Sequence, residues 1–284
     1  KEIGNLQAAE IAYRKAIELN PDYADAYFNL SFIELLEGNY QCGLENYEFR
    51  FKKNKPVITH GQPTNKRINN KRFNQGEQLI VVSEQGLGDT LQYMRYIPYL
   101  RNQGFDISFC AQEKLHTLIK ASAIDPKPLT PAQTNKISEG QWIPLLSLPR
   151  YLKINPKNPI ISEQYIFSTE ELIKKWENIL SQEKRPIIGI NWQGNPKVEK
   201  DSLKGRSIPL ETFSILFEKN DFTILSLQKG FGSEQLECCS FKNRFIDCQA
   251  QIDNIWDFLE NAAIIDNCDL IITCDTSIAH LAGG

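Results

Sequence analysis

Apolar positions along the 284-residue chain follow two periods. In "YADAYFNLSFIELLEG" (23–38) the residues Ala26, Leu30, Ile33 and Leu36 recur at three- and four-residue spacing, which predicts a helix with one packed face. Behind residue 78 the pattern changes to short apolar runs. "LIVVS" (79–83), "DISFCA" (106–111), "QWIPL" (141–145), "PIIGINW" (186–192), "FTILSLQ" (222–228) and "DLIITC" (269–274) read as buried strands. Helical patterns stand between them at 89–103, 112–121, 168–182, 207–219 and 254–268, while the proline-containing 144–160 reads as loop. "STEELIKKWENILSQ" (168–182) opens on a Ser/Thr–Glu cap. Strands alternating with helices imply parallel sheets covered by helices. The predicted fold class is therefore α/β: an α-helical part over 1–51, a linker over 52–78, and two Rossmann-like halves over 79–185 and 186–284. The second half is expected to be incomplete at its C-terminus.

The helical part carries a repeat. "GNLQAAEIAYRKAIELNP" (4–21) superposes on "GNYQCGLENYEFRFKKNK" (38–55) at an offset of 34 residues, matching Gly4 to Gly38, Asn5 to Asn39, Ala8 to Cys42 and Tyr13 to Tyr47. A helical unit of this period, with small residues at the packing positions and a proline closing the helix, resembles the tetratricopeptide repeat. About one and a half repeats are present. Stacked units of this kind stabilise one another in runs of three or more. Further repeats before Lys1, together with support from the following domain, are the expectation. The resemblance implies a role in recruiting an acceptor or another protein partner.

Composition narrows the function. Hydrophobic residues make up 41% and charged residues 24%, with a net charge of -3, so no basic patch invites nucleic acid. No apolar run reaches the roughly 18 residues of a membrane span. Seven cysteines form no C-x-x-C pair and several lie in apolar runs, which reads as buried thiols in a reducing, cytoplasmic setting. His60, alone in the polar 52–78 stretch, receives no role.

Two turns carry the candidate chemistry. "EQGLGDT" (84–90) leaves the first strand through Gly86 and Gly88 and places Asp89 at the head of a helix. A dinucleotide fingerprint needs a third glycine where Leu91 stands, and a Walker loop needs Gly-Lys-Ser/Thr. Neither is present, so a nicotinamide enzyme is disfavoured. What remains is a tight turn admitting a substrate to the backbone, with Asp89 either a helix cap or a chemical group. The second turn, "CDTSIAHLAGG" (274–284), follows a strand with Asp275, Thr276 and Ser277 and brings His280 one helical turn later. Free amides and hydroxyls there suit a diphosphate; alone, the turn is equally an N-cap with a packed histidine.

"EQGLGDTLQYMRY", "GINWQGNP", "GRSIPL", "SLQKG" and "DTSIAHLAGG" occur in an order that resembles glycosyltransferases of the GT-B fold, closest to the ADP-heptose:lipopolysaccharide heptosyltransferase-like group in its repeat-fused branch. The resemblance covers about 79–284. It implies an inverting, metal-independent glycosyltransferase that moves a sugar from a nucleotide-diphosphate donor to a saccharide or protein acceptor across a cleft. Asp89 would be the general base, with Gly86 and Gly88 forming the acceptor-side loop. Asp275, Thr276, Ser277, His280, Asn191, Trp192, Gln193 and Gly194 would hold the donor. Arg206 and Lys229 would neutralise the departing diphosphate. Glu84 and Gln85 are weaker acceptor contacts, and Tyr93 and Arg95 read first as packing or surface. No metal and no cofactor beyond the nucleotide sugar are implied. The alternative is a non-catalytic scaffold built from the same repeats and sheets for protein–protein contact.

Overall fold

A computed structural model describes residues 5–68, 76, 78–159, 163–201, 205–217 and 222–284. The chain forms two compact units. One comprises Lys1–Gly86, Tyr93–Gln112 and Lys127–Glu163, the other Leu87–Gln92, Glu113–Pro126 and Gln164–Gly284.

The first unit begins with three helices, α1 (Leu6–Leu19), α2 (Ala24–Leu36) and α3 (Tyr40–Tyr47). The repeat is visible in its caps. Asn5 accepts from the Ala8 amide at the head of α1, and Asn39, 34 residues on, accepts from the Cys42 amide at the head of α3. Each cap satisfies a donor that the helix leaves orphaned. Gly43 lets α3 lie against α2: a Cβ there would meet Leu35 Cγ at 2.7 Å. The three helices share one buried carboxylate, Glu34, which accepts from Arg14 of α1 at 3.2 Å and from Asn46 of α3 at 2.8 Å. A stacked Tyr27–Phe49 pair, with centroids 4.0 Å apart, closes the end of the hairpin.

The same unit holds a parallel four-stranded sheet, ordered β1 (Lys66–Arg67), β4 (Gln141–Pro144), β2 (Gln78–Val82), β3 (Asp106–Cys110). Leu79 to Val82 are fully buried, because β2 is central and covered on both faces. Three expectations change. The sheet recruits Lys66–Arg67 from the stretch read as linker, in register with Gln141 and Trp142. A two-residue strand carries too little alternation to be seen in sequence. The helix expected over 89–103 is two, Leu87–Tyr93 and Tyr96–Asn102. Pro98 is the cause: in a continuous helix its ring would strike the carbonyl of Met94, where the break occurs. Within 144–160, read as loop, a 3-10 turn (Leu145–Ser147) and a short helix (Leu148–Tyr151) form.

In the second unit the sheet is ordered β6 (Thr223–Ser226), β5 (Ile187–Asn191), β7 (Leu270–Thr273), again parallel. Alternate β5 side chains feed two cores. Ile187 packs with Trp176, Leu180, Leu225 and Ile264, while Ile188 and Ile190 pack with Trp192, Leu210 and Phe213. Gly189 leaves room for its neighbours' side chains, since a Cβ would meet Ile271 Cδ1 at 2.7 Å and Leu227 Cδ1 at 3.0 Å. Helix Glu170–Leu180 starts on the expected Thr169 cap. The segment expected as α-helix over 207–219 is a 3-10 helix, Leu210–Phe217, whose Thr, Phe and Ile residues favour the α-helix weakly; residues 218–219 lie outside the described residues. The helix expected from 254 begins at Phe258, because Asp257 caps it by accepting from the Leu259 amide. All seven cysteines are free thiols, and no helix among the described residues is long and apolar enough to cross a membrane.

Candidate functional site

The chain passes from β5 to β6 on one side of the second sheet and returns to β7 on the other. Crevices at the carboxyl ends of such neighbouring strands are where parallel sheets bind ligands. Asn191 ends β5 opposite Thr273 at the end of β7, so this place is built from "NWQG" and "CDTS".

Asn191 is buried and fully engaged. Its Oδ1 accepts from Thr276 Oγ1 at 2.9 Å and Thr273 Oγ1 at 3.3 Å, and its Nδ2 donates to Gln228 Oε1 at 2.9 Å. Thr276 also accepts from the Ile278 amide, capping the six-residue helix Ser277–Ala282. Asn191 therefore fixes the second turn instead of reaching outward. Trp192 likewise points inward. It is wholly buried, and its indole donates to the Gly232 carbonyl at 3.1 Å. Gln193 is half-buried, accepting from Gln235 at 2.9 Å and lying against Gly232, whose φ of 91° and lack of a side chain make room for it.

Gly194 stands where two predicted residues, Thr276 and Arg206, converge with Glu199. A Cβ on it would lie 3.0 Å from Glu199 Oε1, 3.7 Å from Thr276 Cγ2 and 3.9 Å from Arg206 Cδ. Its amide donates to Ser207 Oγ at 3.0 Å, and that hydroxyl donates onward to Glu199. Arg206 Nη2 lies 3.4 Å from Asp275 Oδ2; Arg206 is 21% exposed and Asp275 72%. Among the described residues, the buried Arg206 Nε has no hydrogen-bond partner. A buried donor without an acceptor is costly, by about 1–3 kcal/mol, and an anion would satisfy it.

The two turns meet. A Cβ on Gly88 would lie 2.7 Å from His280 Cδ2 and 3.5 Å from the Ser277 Cα. Asp89 follows Gly88 as the third residue of Leu87–Tyr93, within the first helical turn and not at its cap. Gly86 lies in the first unit.

Lys229 is placed differently from the others. Its ammonium donates to the Ile255 carbonyl at 2.6 Å and Asn261 Oδ1 at 2.5 Å. Burial draws its pKa down to about 8. Glu84 is wholly buried in an ion pair with Arg50, so it offers no surface to an acceptor.

Gln228 escaped the sequence reading. Its buried Oε1 accepts from Asn191 Nδ2 and from the Trp192 and Gln193 amides, at 2.9, 3.1 and 2.9 Å. Its Nε2 donates to the carbonyls of Gln193 and Phe231. A polar residue closing the apolar run "FTILSLQ" was the available signal. Ser207 and Glu199 were missed too, since neither residue type is unusual in a loop.

Residues 1–33 match the family model of the tetratricopeptide repeat. No curated protein matches the chain. Among solved structures, the crystal structure of a glycosyl transferase family 9 protein from Veillonella parvula is similar with a TM-score of 0.48 and 13% identity, over 73% of this chain and 78% of that one.

Proposed function

We propose that the chain belongs to an inverting glycosyltransferase that takes its sugar from a nucleoside-diphosphate donor and needs no metal. The observation that carries the reading is the contact of Gly88 with His280 and Ser277, which brings the sequence beside Asp89 to the turn proposed to hold the diphosphate. A base and a phosphate site have to be neighbours if one group deprotonates the acceptor while another receives the leaving group's charge.

In this mechanism the acceptor hydroxyl gives its proton to Asp89 as its oxygen attacks the anomeric carbon. The bond from that carbon to the diphosphate oxygen breaks, and the configuration inverts. Charge growing on the diphosphate is met by Arg206, whose buried Nε finds no acceptor among the described residues, and by the Thr276–Ser277 turn. Fixed donors act strongly there because they need no reorganisation as charge develops. Gly194 keeps the approach open between Arg206 and Thr276. Asn191, Trp192 and Gln228 hold the turn's shape, and Gln193 borders it. Lys229, committed to Ile255 and Asn261, supports the loop after β6 and acts on the diphosphate only through the field of its charge. The helical repeats bring the acceptor or a partner protein.

The test follows nucleoside-diphosphate release from a panel of nucleotide sugars, with water or an added saccharide as acceptor. Wild type is expected to turn over one of them, and Asp89→Asn to be slower by about 10²–10⁴-fold, the usual worth of a general base. Equal rates in the two proteins would exclude Asp89 as the base.

A further inference from the structure

The residues just before the glycine turn are gripped by the helical repeat. Glu84 receives Arg50 through two bonds, Nε to Oε2 at 3.1 Å and Nη2 to Oε1 at 2.7 Å, and both side chains are wholly buried. The Leu146 amide donates to the same carboxylate at 3.3 Å. Ser147 accepts from Arg50 at 2.8 Å and donates to Glu48 at 2.7 Å. The Arg50 guanidinium also lies over the rings of Tyr47 and Phe51, at 4.5 and 4.1 Å. Next in sequence, Gln85 has a φ of 61°, a left-handed conformation that costs a non-glycine residue energy and persists only where its surroundings hold it. What holds its side chain is Tyr47, whose hydroxyl accepts from Gln85 Nε2 at 2.7 Å.

We propose that Tyr47 and Arg50, at the end of the helical repeat, are positioning residues for the glycine turn: by holding Gln85 and Glu84 they set the conformation in which the chain enters "GLGD". The inference rests on the reading of Asp89 as the base. A repeat that only recruits a partner has no need of a buried ion pair to Glu84, just past the end of β2 and five residues before that base. The helical repeat is then a working part of the acceptor-side loop, and a partner seated on it acts on the loop through Tyr47.

Arg50→Ala would leave Glu84 buried and unpaired and risks unfolding the chain, so the informative variants are Tyr47→Phe and Gln85→Ala. Hydrogen exchange of the full chain is compared at the amides of residues 85–92 in wild type, each variant and the double variant. Each single variant is expected to exchange about fivefold faster there, the equivalent of one lost hydrogen bond. The double variant should exchange no faster than either, with 187–191 and the urea midpoint unchanged. With a nucleotide sugar that wild type turns over, Tyr47→Phe should lower kcat at unchanged donor KM. Unchanged exchange at 85–92, or additive effects in the double variant, would overturn the positioning role. Exchange that responds as expected while Asp89→Asn leaves turnover intact would overturn only the reading of Asp89.

Discussion

His280 occupies the space a side chain would take on Gly88, with 2.7 Å separating an ideal Cβ from His280 Cδ2. The requirement for glycine is one of clearance, since Gly88 is not among the glycines with positive φ. Gly88→Ala is expected to destabilise the chain by about 1–3 kcal/mol, the usual cost of overpacking. Gly88→Ala combined with His280→Ala should recover part of that loss. Urea unfolding of the four proteins measures the coupling, and strict additivity would refute the contact.

Gln228 satisfies three donors with one oxygen. Gln228→Leu leaves the Trp192 and Gln193 amides without their acceptor and should cost about 3 kcal/mol or more in chemical denaturation. It should also weaken binding of whichever nucleoside diphosphate the chain takes, because the turn relaxes. A loss below about 1 kcal/mol would show that water replaces the side chain.

Lys229 gives a pH dependence. Its folded pKa, about 8, lies below the ordinary 10.5, chiefly through burial. Between those values the unfolded chain binds more protons, so this group makes folding more favourable as pH rises. Partial solvation discounts the effect to the order of 1 kcal/mol. Cys248 and Cys274 work in the opposite sense, since burial pushes both thiols up to about 11 and their contribution is lost as pH rises above the ordinary 9.0. Comparing wild type with Lys229→Met at each pH cancels the thiols. The wild type should gain on the variant between pH 8 and 10.5, and a flat difference would contradict the assignment.

Arg50 and Glu84 form a wholly buried pair. Glu84→Gln should cost about 3–5 kcal/mol by leaving the guanidinium uncompensated, whereas Arg50→Met with Glu84→Leu should cost less than either single change. Thermal unfolding of Glu84→Gln, Arg50→Met, Glu84→Leu and the double variant reads the difference.

Much of the fold was legible because its signals are local. The 34-residue repeat placed Asn5 and Asn39, and both are caps; the apolar runs placed all six longer strands. What escaped depended on a local breaker that apolar spacing does not register, or on partners distant in sequence. Pro98 breaks a helix whose apolar spacing continues past it, and Lys66–Arg67 is a strand only because β4 lies beside it. The candidate residues were legible as motifs but their directions were not. Trp192 and Asn191 look alike in sequence to residues that touch a ligand, yet both face inward, and Gln228, which orders them, sits 36 residues after Trp192. Glu84 reads as an available carboxylate until Arg50, 34 residues earlier, is seen to bury it.

Arg206 and the 275–277 turn are proposed to hold a nucleoside diphosphate. Calorimetric titration of the full chain with ADP, UDP, GDP and CDP, repeated with Arg206→Gln, is the test. Binding of one of the four is expected, weakened about tenfold or more by the substitution, as for a charged hydrogen bond to phosphate. A folded chain that binds none of them, or binds one equally well after the substitution, would contradict it.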